Sequence, residues 1–141
     1  MKITKRDITS EELKMIHDDF RAIEVKYGVA LDKKERFNIT IDDDDGNIIG
    51  IATGLSHRDV AFFLSDLWVR ADLRGTGLGS KILRMLEDDI KKIGIKYIYT
   101  WTSSFDKNDE FYKKQGYSEI MRHENYYNDI GDSIYLHKEL N

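Results

Sequence analysis

The spacing of apolar residues near the start of the chain predicts an amphipathic helix. Thr9 and Glu12 have the spacing of a capping box, in which each side chain accepts a hydrogen bond from the other residue's amide. Apolar residues then recur at steps of three and four and share one helical face: Leu13, Ile16, Phe20, Ile23 and Tyr27. Gly28 is suited to end this helix. A short strand is expected before it, at residues 2–4.

The middle of the chain predicts a three-stranded meander. Residues 37–41 alternate between apolar and polar side chains, as in a half-buried strand. A polar run at 42–47, with Gly46 and Asn47 at its end, predicts a hairpin turn. The returning strand covers 48–55, and a long, nearly all-apolar strand covers 60–69. Such a strand is expected to be covered on both faces.

The second half predicts a helical crossover and closing strands. Residues 77–93 place apolar side chains on one helical side and charged ones on the other, and Gly94 ends the helix. A strand at 96–101, a short helix capped by Asp106 and ended by Gly116, and strands at 117–122 and 133–138 follow. We therefore expect a mixed α/β fold with a mostly antiparallel sheet of about six to seven strands. Three to four helices should flank both its faces.

Composition narrows the class of protein. The 141 residues suit a single domain over 1–141, and a content of 40% apolar and 34% charged residues is typical of a globular protein. There is no cysteine, which fits a reducing compartment, and residues 1–7 lack a signal-peptide core. No apolar run approaches the ~20 residues that span a bilayer. We expect a cytoplasmic protein with no membrane partner, and the net charge of −4 argues against a nucleic-acid partner.

The segment 67–81 carries the most informative chemistry. A predicted buried strand runs into a turn with Gly75, Gly77 and Gly79, and this turn opens the strongest helix. Free amides and the positive dipole end of a helix start can bind a pyrophosphate. A nucleotide-hydrolase loop would need a lysine followed by Ser or Thr, but Ser80 precedes Lys81. The dinucleotide fingerprint also fails, because Ser80 stands where it needs a third glycine.

Two signatures resemble the GNAT superfamily of N-acetyltransferases. The first is Arg74-x-x-Gly77-x-Gly79 after Leu67-x-Val69. The second is Phe111-Tyr112-x-Lys114-x-Gly116-Tyr117. The expected order of elements also matches the GNAT fold over nearly the whole chain.

The resemblance implies that the chain binds acetyl-CoA as a co-substrate. In the family, amides of the glycine turn bind the pyrophosphate, and the end of the preceding strand pairs with pantetheine. An amide at or near Val69 would hold the thioester oxygen. The Arg74 side chain either adds charge or is a solvated loop arginine. The implied cofactor-binding residues are Leu67, Trp68, Val69, Arg74, Gly75, Thr76, Gly77, Leu78, Gly79 and Ser80.

Two residues are predicted to be catalytic. Tyr112 matches the family tyrosine that protonates the departing thiolate; the alternative is an aromatic packing residue. Asp66 is unusual in an apolar strand and is a candidate general base, since burial there would raise the pKa of a carboxyl. Alternatively, Asp66 only bonds neighbouring backbone. Weaker base candidates are Glu110, His123 and Glu124.

One departure from the family and several absences complete the prediction. Many relatives have a cofactor-contacting asparagine where this chain has Phe105. The aspartates at 42–45 lack the EF-hand register and the histidines lack metal-ligand spacing, so no metal is expected. The resemblance implies acetyl transfer to a primary amine, with a small-molecule acceptor favoured over a protein. The alternative is a non-catalytic acyl-CoA-binding sensor. Relatives often form homodimers, but the sequence identifies no interface.

Overall fold

The computed structural model describes residues 1–141 as two compact units, 1–31 and 32–141. The first unit contains helix α1 (Ser10–Lys26). Its predicted capping box is present: the Glu12 amide donates to Thr9 Oγ1 at 3.1 Å, and the Thr9 amide donates to Glu12 Oε2 at 2.9 Å. The helix ends before Gly28, whose φ is +73°. The predicted strand at 2–4 is wrong, since no strand forms there.

The second unit is built on one six-stranded sheet. Its strands are β1 (Arg36–Asp42), β2 (Ile48–His57), β3 (Ala61–Val69), β4 (Tyr97–Ser103), β5 (Ser118–His123) and β6 (Ser133–Glu139). Their order across the sheet is β1-β2-β3-β4-β6-β5. Only β3 and β4 are parallel, because they are joined by the crossover helix α2 (Leu78–Lys92). The predicted mixed, mostly antiparallel α/β fold is confirmed.

The core lies between one face of the sheet and two helices. Helix α2 packs on β1 to β3, and helix α3 (Asn108–Lys114) packs near β4 to β6 on the same face. A polar cluster joins α2 to the chain after α3 and to β6: Tyr117 Oη donates to Glu87 Oε1 at 2.9 Å, and Lys138 Nζ lies 2.7 Å from Glu87 Oε2. The fully buried apolar side chains include Phe62, Leu64, Ile82, Leu83, Leu86, Ile90, Ile98, Ile134 and Leu136.

A bulge in β3 determines which side chains reach this core. Thr53 pairs with Asp66 and Gly54 pairs with Leu64, so Ser65 is an extra residue on β3. The bulge shifts the alternation by one position, and the burial of Phe62 and Leu64 therefore continues at Leu67 and Val69. Gly54 is required opposite the bulge, because a Cβ there would lie 2.1 Å from the carbonyl oxygen of Phe63.

The parallel strands β3 and β4 separate soon after they begin. They pair only over residues 61–63 and 97–99, although each strand continues for several residues. The far end of β3 thus has a strand partner on one side only, namely β2. The result is an opening in the sheet between residues 64–69 of β3 and 100–103 of β4.

The entry to α3 differs from the prediction. Asp106 lies inside a 3-10 turn over Phe105–Lys107, with a φ of +49°, and does not cap the helix. Lys107 takes the capping position without a side-chain hydrogen bond.

The hairpin turn between β1 and β2 is as predicted, with Gly46 at a φ of +82°. None of the helices combines the length and apolar character needed to span a bilayer.

Candidate active site

The glycine-rich turn presents free amides at the start of α2. Gly75 has a φ of +75° and Gly77 a φ of +88°, a conformation that glycine adopts without strain. The first intrahelical bond runs from the Lys81 amide to the Gly77 carbonyl at 3.0 Å, so the amides of 78–80 have no helical acceptor. No acidic residue lies in this first turn, and no side chain caps it. These donors and the open space around Gly77 fit a pyrophosphate.

The end of β3 offers further free amides at the opening. The Arg70 amide donates to the Ile49 carbonyl at 2.9 Å, towards β2. Backbone groups of an antiparallel pair alternate in direction, so the amides of Leu67 and Val69 point to the opposite, unpaired edge. Their side chains belong to the core or pack against it, whereas Trp68 is exposed. The same residues can therefore support the core and bind a ligand through their backbone.

Arg74 does not extend towards the open turn. Its Nε donates to the Val69 carbonyl at 2.9 Å, so the guanidinium lies across the end of β3. Thr76 Oγ1 similarly donates to the Leu73 carbonyl at 2.6 Å. Both side chains stabilise the loop that leads into Gly77. Arg74 therefore makes a structural contact with the backbone. The sequence suggests either that it adds charge to the cofactor site or that it is a solvated loop arginine, and neither describes this contact.

The two sequence signatures meet in the folded unit. A Cβ on Gly79 would lie 3.7 Å from both Phe111 Cζ and Val69 Cγ2, so α3 packs against the start of α2. Tyr112 follows Phe111 and is only 8% exposed. Its ring makes edge contacts with Phe111 at 5.2 Å and Tyr117 at 5.3 Å between centroids. The second signature thus holds Tyr112 beside the turn formed by the first.

The Tyr112 hydroxyl lies where β3 and β4 separate. Burial raises the pKa of Tyr112 to about 12; a hydrogen bond with Thr100 opposes the rise and the charge of Asp66 adds to it. Thr100 Oγ1 in turn donates to the Leu64 carbonyl at 2.9 Å, across the opening. At neutral pH Tyr112 is therefore a neutral phenol that can donate its proton. Its position suits a proton donor within the opening.

Asp66 is exposed, so the expectation that it is buried is wrong. The cause is the bulge at Ser65, whose Oγ donates to the Thr53 carbonyl at 3.1 Å. After this extra residue, Asp66 points to the face opposite α2 and α3 rather than into the core. Its charge is the smallest of the causes that act on the pKa of Tyr112. Its role as a general base stays a prediction.

The weaker base candidates are also exposed: Glu110 lies on α3, His123 ends β5 and Glu124 follows it.

The Phe105 position holds an aromatic packing contact. The Phe105 ring lies 5.0 Å from that of Tyr127, and a Cβ on Gly131 would lie 2.4 Å from it. The neighbouring Ser104 amide donates to the Asp132 carbonyl at 3.0 Å, and the Asp132 amide donates to Ser104 Oγ at 2.9 Å.

Arg122 organises an ionic network that the sequence did not reveal. Its guanidinium contacts Asp132 at 2.6 Å, Glu119 at 2.7 Å and Asp109 at 3.3 Å, and Lys113 bridges the last two. Hydrogen bonds from Arg122 and Lys113 lower the pKa of Glu119 to about 2. The network joins α3, β5 and the loop 124–132. No motif marks it, because its members are scattered through a stretch of sequence that is rich in charged residues.

Comparison with known proteins agrees with this geometry. A family model described as Acetyltransferase (GNAT) family matches residues 6–117. An acetyltransferase structure from Bacillus cereus aligns with a TM-score of 0.81 and 25% identity, over 98% of each chain. No curated protein sequence matches the chain.

Two more distant structures share the fold alone. An aminoglycoside 6'-N-acetyltransferase complexed with coenzyme A aligns with a TM-score of 0.67 and 20% identity, over 92% of this chain and 86% of that one. An Escherichia coli N-acetyltransferase of a ribosomal-protein alanine aligns with a TM-score of 0.66 and 18% identity, over 96% and 92%. These two names concern different kinds of acceptor, so the fold does not determine which kind is used.

Proposed function

Because the chain belongs to the acetyltransferase (GNAT) family, we propose that it transfers the acetyl group of acetyl-CoA to the primary amine of a small molecule. The observation that carries the proposal is the opening between β3 and β4. It has free amides along one edge, the start of α2 at its end, and the Tyr112 hydroxyl inside it. Each group matches a requirement of acyl transfer from a thioester.

Acetyl-CoA would be held mainly by backbone groups. The amides of 78–80 and the turn at Gly75 and Gly77 suit the pyrophosphate. The unpaired edge of β3 at Leu67 and Val69 suits the amide groups of pantetheine, which would pair as an added strand does. When bound, acetyl-CoA supplies the activated acetyl group. An amide at or near Val69 would donate to the thioester oxygen as negative charge develops on it.

The transfer forms one bond and breaks another. The amine nitrogen bonds to the acetyl carbon, the carbon–sulfur bond breaks, and the electron pair of that bond goes to sulfur. Tyr112 would donate its proton to this sulfur, since its phenol is neutral and buried beside the opening. Asp66, on the opposite side, would accept the proton of the ammonium directly or through water. No protein nucleophile is needed, which agrees with a chain that has no cysteine.

A free-thiol assay with acetyl-CoA and a panel of amines tests the proposal. Small amines are expected to release coenzyme A faster than peptides with a free N-terminus or lysine. Replacing Tyr112 with Phe keeps the ring in its packing contacts but removes the hydroxyl, so kcat should fall roughly 100-fold. The matched control is Tyr27→Phe in the first unit. Equal kcat in wild type and Tyr112→Phe would remove the assigned proton donor.

The competing function is a non-catalytic acyl-CoA-binding module. The observation in its favour is that Phe105, packed on Tyr127, occupies the position where many relatives have a cofactor-contacting asparagine. This function predicts calorimetric binding of acetyl-CoA with no thiol release on any amine. It also predicts that Tyr112→Phe leaves the binding enthalpy and affinity as they are.

A further inference from the structure

Four aromatic side chains form a continuous row on the sheet face opposite α2 and α3. The Phe63 and Tyr99 centroids lie 5.3 Å apart, Tyr99 and Tyr135 lie 5.7 Å apart, and Tyr135 and Trp101 lie 5.1 Å apart. We call Phe63, Tyr99, Tyr135 and Trp101 the aromatic row. All four are partly or largely accessible, and Trp101 is 43% exposed. Their π faces can bind an organic cation.

The row follows from strand alternation. Successive side chains of a strand point to opposite faces, and Ile98, Thr100, Ile134 and Leu136 fill the core beneath the helices. Their neighbours on β4 and β6 must therefore point away from the core. The row runs across three strands, from β3 through β4 to β6, and borders the opening that contains Tyr112.

One carboxylate lies at the end of the row beside the opening. Phe63 and Tyr99 are the last paired residues of β3 and β4; Asp66 lies three residues further along β3 and Trp101 two residues further along β4. The bulge at Ser65 places Asp66 on the face of the row. Asp66 and Trp101 thus both lie beyond the last paired residues, on either side of the opening. This arrangement suits the ammonium that is to be acetylated.

A second carboxylate lies at the other end. Asp32 accepts a hydrogen bond from the Arg58 amide at 2.8 Å, and its Oδ2 lies 3.7 Å from His57 Nδ1. The His57 ring is 6.3 Å from that of Tyr99, and the charge of Asp32 is among the causes that raise the pKa of Tyr99. Asp32 therefore lies at the His57 end of the row, with the His57 ring between its carboxylate and Tyr99.

The register gives the separation of the two ends. His57 lies beside Asp32, Thr53 pairs with Asp66, and His57 lies four positions beyond Thr53 on β2. At the rise of an antiparallel strand, this spacing is about 13 Å. A single ammonium cannot serve both carboxylates over this distance. An acceptor with cationic groups along an aliphatic chain can.

We propose that the aromatic row, with Asp66 and Asp32 at its ends, is the acceptor subsite for a linear aliphatic polyamine. This inference rests on the proposed acetyl transfer. One terminal amine lies at Asp66 and reacts, the methylene chain and the inner ammonium lie over Tyr99, Tyr135 and Trp101, and the distal ammonium reaches Asp32. Charge complementarity and cation–π contacts favour this occupant over an uncharged or anionic chain.

The test compares kcat/KM for spermidine and for n-octylamine, which has a similar length but one charge. Wild type should prefer spermidine, and putrescine should be a poorer substrate because it is too short to reach Asp32. Asp32→Asn should lower the spermidine to octylamine ratio about fivefold, as expected for a partly exposed ion pair. Trp101→Leu should raise the spermidine KM about threefold or more. Trp101→Phe keeps an aromatic face and should therefore raise this KM much less.

A matched control and a binding measurement separate the possible failures. Asp88→Asn removes the same charge from the exposed side of α2 and should leave the ratio unchanged. If both amines are acetylated equally well, or if the preference for spermidine is unchanged in Asp32→Asn, the proposed subsite is wrong. The proposal of acetyl transfer would stand in either case. Absence of turnover, with calorimetric spermidine binding that weakens in Asp32→Asn, would support the subsite and overturn acetyl transfer. Absence of both would overturn both.

Discussion

The two sides of the opening between β3 and β4 are built from different chemical groups. On the side of α2, the groups offered to a ligand are the backbone amides of Leu67, Val69 and residues 78–80, while the side chains pack or stabilise the loop. On the opposite face, the groups are side chains, namely Asp66 and the aromatic row. A ligand site formed by backbone amides requires glycines and small residues at a fixed spacing along the sequence. A ligand site formed by side chains requires no fixed spacing along the sequence.

This difference explains which half of the site a motif can reveal. The glycine spacing at 75–79 is needed for any ligand with a pyrophosphate, whatever the acceptor. Residues such as Trp101 and Asp32 depend on the particular acceptor and lie far apart in the sequence. Changes to the two sides should therefore affect different kinetic constants. The following predictions use that separation, beginning with the largest expected effect.

Replacing Gly77 should damage the backbone side most. Its φ of +88° is unfavourable for a β-branched residue, so Gly77→Val should shift the turn and misdirect the amides of 78–80. We expect the affinity for acetyl-CoA to fall by about 2 to 3 kcal/mol, the size of a lost charged hydrogen bond with added strain. Calorimetric titration of acetyl-CoA measures this loss.

Gly46→Val is the control for backbone strain alone. Gly46 has a similar φ of +82° and, like Gly77, has no atom within 4 Å of the place a Cβ would occupy. It lies in the hairpin between β1 and β2. Both variants should lose similar stability in thermal unfolding, but only Gly77→Val should lose acetyl-CoA affinity. An equal loss of affinity in both would show that the glycine turn has no special part in binding.

The same contrast explains how much could be predicted from the sequence. Periodicity and caps located most elements to within a few residues, because the capping box of Thr9 and the glycines at 28, 77 and 94 act locally. The prediction that Asp66 is buried failed because a single extra residue changes the geometry of a pair of strands. The bulge at Ser65 needs the register of β2 against β3, including Gly54 opposite it, and a single strand does not contain that information.

Other features of the site required contacts between distant residues. Asp106 has a residue type that suits a cap, but its positive φ places it inside the preceding turn. Tyr97, Tyr99 and Trp101 alternate with Ile98 and Thr100, so the aromatic face of β4 is visible in the sequence. Its continuation to Phe63 and Tyr135 depends on the order of strands. The single domain expected over 1–141 stays a prediction.

Arg122→Gln should affect the acceptor side rather than the cofactor side. The change leaves Asp109, Glu119 and Asp132 near one another with only Lys113 to offset their charge. Asp132 also accepts a hydrogen bond from the Asn125 amide at 3.0 Å, so the loop 124–132 should lose its anchor. We expect the free energy of unfolding to fall by about 1 to 2 kcal/mol, because the network is partly exposed. Urea unfolding measures this change.

The kinetic consequence separates the two sides. The acceptor KM should rise in Arg122→Gln, because the loop carries Tyr126, whose ring lies 6.0 Å from His123 beside Trp101. The KM for acetyl-CoA should stay close to that of wild type. Arg84→Gln, an identical change on the exposed side of α2, is the control. A rise in the acetyl-CoA KM alone would contradict the division of the site proposed above.

Arg74→Gln should have the smallest effect and decides whether the cofactor side depends on backbone groups alone. Since Arg74 Nε is already bound to the Val69 carbonyl at 2.9 Å, only part of the guanidinium remains for a phosphate. A glutamine amide can replace the single donor to Val69 but not the charge, and exposed charge contacts contribute below about 1 kcal/mol. Acetyl-CoA affinity should therefore fall no more than about fivefold. A much larger loss that high salt abolishes would mean that Arg74 binds phosphate through its charge.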